Sequence, residues 1–292
     1  MHRYLLILIY LIFQFCIAAA SSVAAEPTRL TNDGHLKSDL VLSADRSKLI
    51  YSIQEKFNLI QLRAIDLESL ESELVHPSAN TSEFSYSPSK SGEVICFIRN
   101  DGNLHNAVVI ENKKTSKSIS HNPGGGFAAV RRATTSPDGS HVIFSFPTRD
   151  AEQQLWRLNV NGGEPIELTK GALDTYPRFS PNGSLIAFAS TRSGNFDIHV
   201  MSKNGQGILQ LTDNPTMDTR PAWSPDNKQI AFTSNREGNY DIYVIDADGT
   251  NERQVTTNTE KDDFAIWHPN GRQIFVVSER NGKNDLFLVN VD

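Results

Sequence analysis

Three aspartates recur at one phase of a repeating sequence. Asp174, Asp218 and Asp262 each stand six residues before a Ser/His-Pro-Asp/Asn turn, the turns opening at Ser180, Ser224 and His268. Equal phase in a repeat means equal placement in a fold, so these carboxylates belong on one arc. Two residues further on stand Tyr176, Arg220 and Phe264, with Asp263 beside the last. A carboxylate arc could hold a cation or the basic group of a partner. Aromatic and Arg side chains are the usual anchors of a buried protein contact. Asp174, Tyr176, Asp218, Arg220, Asp262, Asp263 and Phe264 are therefore the candidate partner-binding set, with Arg131 and Arg132 on the opposite arc. The plainer reading of each Asp is a turn residue bonded to nearby backbone N–H groups. Changing the three Asp to Asn is expected to leave folding within ~1–2 kcal/mol.

The rest of the chain offers no convincing catalytic set. His35, His76 and His121 lie 8, 11 and 15 residues before their turns, which are not equivalent places, and the spacing is no metal-ligand pattern. A Gly-x-Ser-x-Gly elbow does not occur. Gly124–Gly125–Gly126 lies between strand-like runs with no amphipathic helix after it, which argues against a phosphate cradle. Arg192/Asp197, Arg236/Asp241 and Arg280/Asp285 each bracket a hairpin loop and read as three copies of a structural brace. No catalytic residue, metal or cofactor is expected.

The elements that position these residues follow from the turns. Ser-Pro-Asp/Asn-Gly or a close relative opens at residues 43, 87, 136, 180, 224 and 268, at intervals of 44, 49, 44, 44 and 44. Six units at a period near 44, each with short β-prone runs, predict an all-β, six-bladed β-propeller of four-stranded blades. Around Ser224 the runs are Thr219–Trp223, Gln229–Thr233, Asp241–Ile245 and Arg253–Thr256, separated by Gly- and Asp-bearing turns. In such a ring the loops entering each blade lie near the central axis, so the Asp arc would stand at the channel mouth. Leu42, Tyr86, Thr135, Phe179, Trp223 and Trp267 precede the turns and read as wedge filling between blades. The last unit stops after its third strand, Asp285–Val289. The Leu-Thr signature of a fourth strand (Leu168–Thr169, Leu211–Thr212) reappears at Leu30–Thr31. The N-terminal segment is thus expected to complete the last blade and close the ring.

Charge and composition narrow the class. The 292 residues carry 28 Lys+Arg against 34 Asp+Glu, a net charge of −6, which argues against nucleic acid as the partner. Two Cys exclude a disulfide scaffold. Met1–Ala25 has a short basic start, an apolar run and small residues at Val23 and Ala25, and reads as a cleaved signal peptide. Residues 26–292 then form the propeller, exported to the periplasm or the exterior, monomeric, and with no transmembrane segment after cleavage. Cys96, in Val94–Ile98, reads as a buried strand residue. Residues 99–132 hold six Lys/Arg and two Asp/Glu, whereas residues 213–292 hold eight and fourteen, so the ring is expected to be an electrostatic dipole.

The repeat Leu211–Thr212…Asp218–Thr219–Arg220–Pro221–Ala222–Trp223–Ser224–Pro225–Asp226, continued by Ile230–Val244, resembles the propeller repeat of the TolB family. The resemblance is close over residues ~170–292, moderate at Ser136 and weak in the first two units. It implies a six-bladed propeller that docks a protein or cell-envelope component, as TolB-type propellers dock the peptidoglycan-associated lipoprotein. TolB proteins also carry an α/β domain before the propeller, for which there is no room between Ala25 and Leu30. The resulting expectation is a non-catalytic interaction module. The alternatives are a propeller carbohydrate-active enzyme (a lyase or glycosidase) and a purely structural module.

Overall fold

The computed structural model of the protein describes residues 26–100, 102, 105–123, 130–147 and 152–291. The signal-peptide reading of residues 1–25 and the Gly124–Gly126 segment fall outside these. The short β-prone runs all form strands, and no helix among the described residues is long and apolar enough to cross a membrane.

The chain opens with β1 (Thr28–Arg29). Blade one is β2 (Leu36–Leu42), β3 (Lys48–Lys56), β4 (Leu59–Asp66) and β5 (Ser72–Leu74). Blade two is β6 (Glu83–Pro88), β7 (Val94–Asn100), β8 (Asn106–Asn112) and β9 (Lys117–His121). Blade three is β10 (Arg132–Thr135), β11 (His141–Pro147), β12 (Gln153–Asn159) and β13 (Ile166–Glu167). Blade four is β14 (Asp174–Phe179), β15 (Leu185–Ser190), β16 (Asp197–Ser202) and β17 (Leu209–Gln210). Blade five is β18 (Asp218–Trp223), β19 (Gln229–Ser234), β20 (Asp241–Asp246) and β21 (Arg253–Gln254). Blade six is β22 (Asp262–Trp267), β23 (Gln273–Arg280) and β24 (Lys283–Asn290), and its fourth strand is β1. The result is the six-bladed propeller read from the repeat, with antiparallel blades in meander order.

Closure follows the expected route. Thr28 pairs with Leu288 and Arg29 with Phe287, and the Leu30 N–H donates to the Leu286 carbonyl at 2.8 Å. The join therefore leaves no bare strand edge on β24 along this stretch.

Each of the six seams between blades holds one apolar cluster, built by the period-2 alternation of the middle strands. In β19, Ile230 and Phe232 face blade four, while Ala231 faces blade six. In β23, Ile274 and Val276 face blade five, while Phe275 and Val277 face blade one. Trp223 and Trp267 are buried in this packing, and each indole N–H reaches back one blade, to the carbonyls of Arg178 and Ala222 at 3.2 and 3.1 Å. Cys96 is fully buried, and burial pushes its thiol up to about 12.

One phase needs correction. The N–H four residues into each turn donates to the first carbonyl: Arg46 to Ser43, Gly139 to Ser136, Gly183 to Ser180, Asn227 to Ser224 and Gly271 to His268. In blade two the matching bond runs from Gly92 to Ser89, so the turn is Ser89–Gly92 and not Ser87–Lys90. All six fourth residues have φ between 63 and 74°, a left-handed demand that Gly92 meets without strain and Lys90 would not. The shift moves every blade-two equivalence by two residues. Glu83, not Thr81, matches Asp174. Ser85, not Glu83, matches Tyr176. Pro88, not Tyr86, precedes the turn.

Candidate functional site

The three repeated aspartates do not form an exposed acidic arc. Asp174, Asp218 and Asp262 have no solvent-exposed surface, and each carboxylate meets an arginine at or just past the end of the second strand of its own blade. Arg192 lies 3.0 Å from Asp174, Arg236 2.9 Å from Asp218, and Arg280 3.1 Å from Asp262. The sequence reading had assigned these arginines to Asp197, Asp241 and Asp285 across the hairpin loop. The antiparallel ladder instead sets the Asp at the start of one strand opposite a Ser near the end of the next: Asp218 faces Ser234, and Arg236, two residues on, folds back over it. Burial raises the Asp218 and Asp262 carboxyls, and hydrogen bonds from Ser234 and Ser278 and the Arg charges pull the other way. Glu83 takes this place in blade two and bonds His76 Nδ1 at 2.5 Å. That contact raises the His76 imidazole against the opposing pull of burial.

Asp197, Asp241 and Asp285 serve the outer strand. Thr212, Thr256 and Thr31 point their hydroxyls at these carboxylates at 3.5, 3.3 and 2.9 Å. The same hydroxyls accept the next backbone N–H, from Ile198, Ile242 and Leu286. Burial raises Asp197 and Asp241 to about 6. Asp285 is also desolvated, but bonds from Arg29, Thr31 and Gly34 and the charge of Lys37 bring it below the usual value.

Tyr176, Arg220 and Phe264 do converge, on the central channel. The Arg220 guanidinium lies 5.0 Å from the Tyr176 ring centre and 4.6 Å from that of Phe264, and Arg132 lies 4.9 Å from Tyr176. Arg132 also meets Asp39 at 3.3 Å, and Arg220 meets Asp263 at 3.4 Å. Asp263 is further held by Thr233 at 3.0 Å and Lys261 at 2.8 Å. A belt thus runs Asp39–Arg132–Tyr176–Arg220–Phe264 around the channel. Burial works against the Arg132 charge, yet Asp39 and Tyr176 hold it above its ordinary range. Cation–π contacts of this kind strengthen when desolvated.

Local backbone explains the convergence. In blades one, two, four, five and six a β-bulge interrupts the first strand pair, between Ser38 and Val41, Phe84 and Ser87, Thr175 and Arg178, Thr219 and Ala222, and Asp263 and Ile266. The bulged Asp39, Ser85, Tyr176, Arg220 and Phe264 have φ of 53–57°. Non-glycine residues in this region cost about 1–3 kcal/mol each and persist where the surroundings enforce them. The bulge turns these side chains out of the ladder and toward the axis.

Three connected cavities follow the channel. A 340 Å³ pocket at the entering-loop face is lined by Val130, Arg132, Tyr176, Met217 and Arg220 among others. A 20 Å³ constriction lies between Asp39, Tyr176, Arg178, Arg220 and Phe264. A 450 Å³ basin opens on the turn face. Arg178 and Asp39 were missed as site residues. The signal was available, because Arg178 is the one charged member of its set of repeat equivalents and Asp39 is the one acidic member of a set that holds two arginines. Among the described residues no three of His, Cys, Asp and Glu come together as a metal-ligand group. His35, His76 and His121 stay apart, His76 on Glu83 and His121 against Phe144 at 5.8 Å.

The TolB beta propeller domain family matches residues 169–292. Across the whole ring the chain is similar to a TolB-type protein from Agrobacterium tumefaciens, at 17% identity and a TM-score of 0.68, with 90% of this chain and 93% of that one covered. It is similar to TolB from Acinetobacter baumannii at 16% identity and a TM-score of 0.63, covering 86% of this chain and 62% of that one. An oligogalacturonate lyase from Vibrio parahaemolyticus shares the fold at 15% identity and a TM-score of 0.63, over 90% and 80%. The protein is a six-bladed β-propeller whose residues 169–292 match the TolB propeller family. At these identities the likeness is one of fold, a scaffold that hosts several functions.

Proposed function

We propose that the protein is an exported, non-catalytic propeller that binds a protein or cell-envelope component at the entering-loop mouth of its channel. The observation that carries this reading is the belt of Arg132, Tyr176, Arg220 and Phe264. Arg132, Tyr176 and Arg220 line the 340 Å³ funnel and Phe264 the constriction below it, and three strained bulges hold Tyr176, Arg220 and Phe264 in place. The TolB-like fold supports an interaction role, and the apolar start of the sequence supports export. Neither names the partner. Asp174, Asp218 and Asp262 enter as supports that hold the bulged strands to their neighbours, and Asp263 as the carboxylate that orients Arg220.

The test compares capture from envelope extract by the mature chain and by Arg220→Gln. A partner retained by the first and lost by the second, with both variants folded, is the expected result. Equal capture by both would remove the mouth from the interface. Turnover of an oligogalacturonide or another polysaccharide by the purified chain would replace the reading with the carbohydrate-active alternative.

A further inference from the structure

The turn-face basin differs from the mouth in its chemistry. The residues two places before the six turns are Val41, Ser87, Thr134, Arg178, Ala222 and Ile266, and all six line this basin. Five are uncharged and one is arginine. Lys90 and Arg46 stand on the basin wall, and no Asp or Glu lines it.

Arg178 also differs from the other channel arginines. Arg132 has Asp39 and Arg220 has Asp263 within ion-pair distance. Among the described residues Arg178 makes no ion pair, and its guanidinium hydrogen-bonds only to the Leu40 carbonyl, at a long 3.4 Å. Burial pushes it below the usual Arg range and Arg132 adds repulsion, while Asp39, across the constriction and not in an ion pair with it, pulls the other way. A part-desolvated cation without an ion-pair partner is costly, and an anion placed beside it offsets that cost. The guanidinium fork matches the two oxygens of a carboxylate or phosphate.

We propose that the turn-face basin is an oxyanion site, in which Arg178 binds the carboxylate or phosphate head of a small ligand. Ser87 and Thr134 bring hydroxyls to the same ring, and Trp223, Trp267 and Phe179 wall the space for the ligand's body. Lys90 and Arg46 add long-range attraction at the rim. The site lies beyond the constriction from the proposed partner-binding mouth, so either can fail without the other.

The experiment titrates the mature chain with inorganic phosphate and, separately, with citrate at constant ionic strength. The Trp223 and Trp267 indole N–H resonances and the thermal midpoint are followed. The Trp223 indole is a close reporter, because it bonds the Arg178 carbonyl. At least one anion is expected to shift both indole signals and raise the midpoint by several degrees. Response to citrate alone assigns a carboxylate head, and response to phosphate alone a phosphoryl head. Arg178→Gln should weaken binding at least tenfold and raise the ligand-free midpoint, since it removes a part-buried charge that has no ion-pair partner. A merely structural Arg178 would lower that midpoint. Unmoved indole signals with both anions would overturn the proposal, as would equal anion stabilisation of wild type and Arg178→Gln. If Arg178→Gln does not fold, Arg178→Lys, which keeps the charge and loses the fork, is expected to bind more weakly than wild type, and equal binding would overturn the proposal.

Discussion

Thr31 and Asp285, 254 residues apart in sequence, lie 2.9 Å apart from hydroxyl to carboxylate. The same hydroxyl accepts the Leu286 N–H at 2.9 Å. Thr212 with Asp197 and Thr256 with Asp241 repeat this arrangement within continuous blades. The ring is closed by a copy of the bond that finishes blades four and five, made between distant parts of the chain.

Thr31→Val should therefore cost about 1–3 kcal/mol, because it strands the Leu286 N–H and removes one of the three hydrogen bonds to Asp285 Oδ1, which keeps those from Asp33 and Gly34. Removing residues 26–31 should cost more and expose the β24 edge to association. Urea unfolding and size-exclusion chromatography read the two effects. A truncated chain with the wild-type midpoint and a single monomer peak would refute this account of closure.

The buried pairs predict a heavier loss than the sequence suggested. Asp174→Asn and Asp262→Asn take from Arg192 and Arg280 their carboxylate partners in part-buried sites, and Asp218→Asn leaves Arg236 with Glu252 alone. We expect about 1–3 kcal/mol for each substitution. The three sites are separate and should add, bringing the triple variant close to the whole stability of a typical domain. Denaturant midpoints of the single variants decide this before the triple is made.

The phase of the turns was legible because four of the six carry Ser-Pro or His-Pro with an Asp or Asn beside it, and the backbone there has one solution. Blade two misled because Ser87–Pro88 imitates the motif while its real turn, Ser89–Lys90–Ser91–Gly92, has neither Pro nor Asp. The arginine partners were misassigned for a geometric reason. Sequence spacing highlights the residues across a hairpin loop, whereas the ladder brings Arg236 to Asp218, 18 residues away. The channel belt was half visible. Tyr176, Arg220 and Phe264 share a phase, but that a bulge would aim them at the axis cannot be read from side-chain types.

Stability should respond to pH in opposite senses at equivalent positions. Asp197 and Asp241 titrate at about 6 in the fold, above the ordinary 3.8. Between these values the unfolded chain ionises while the folded chain still holds its protons, so their contribution falls as pH rises from about 4 to 6 and is level above. Asp285 is lowered, so its contribution is present above the ordinary value and is lost as pH falls through the folded one. Carboxyl NMR titration should find midpoints near 6 for Asp197 and Asp241 and one below 3.8 for Asp285. Changing Asp197 and Asp241 to Asn should flatten the pH 4–6 slope.

Tyr176 is held between two guanidinium groups. Tyr176→Leu keeps most of the apolar bulk and removes both cation–π contacts, each worth about 0.5–2 kcal/mol depending on desolvation. Without the ring, Arg132 and Arg220 should sample more rotamers. The expected outcome is faster side-chain exchange at both arginines by NMR, with a small loss of stability. Unchanged arginine dynamics would show that Asp39 and Asp263 suffice to hold them.

The pairing of Thr28 with Leu288 places the two ends of the fold side by side on the outer edge of one blade. The six seams are packed alike, so the order in which the blades follow along the chain matters little to the finished ring. A circularly permuted chain, with a short hairpin joining Asn290 to Thr28 and a new opening cut in the Thr212–Met217 connection between blades four and five, should rebuild the same molecule. Its seam would then lie between two blades, and its sixth blade would be continuous.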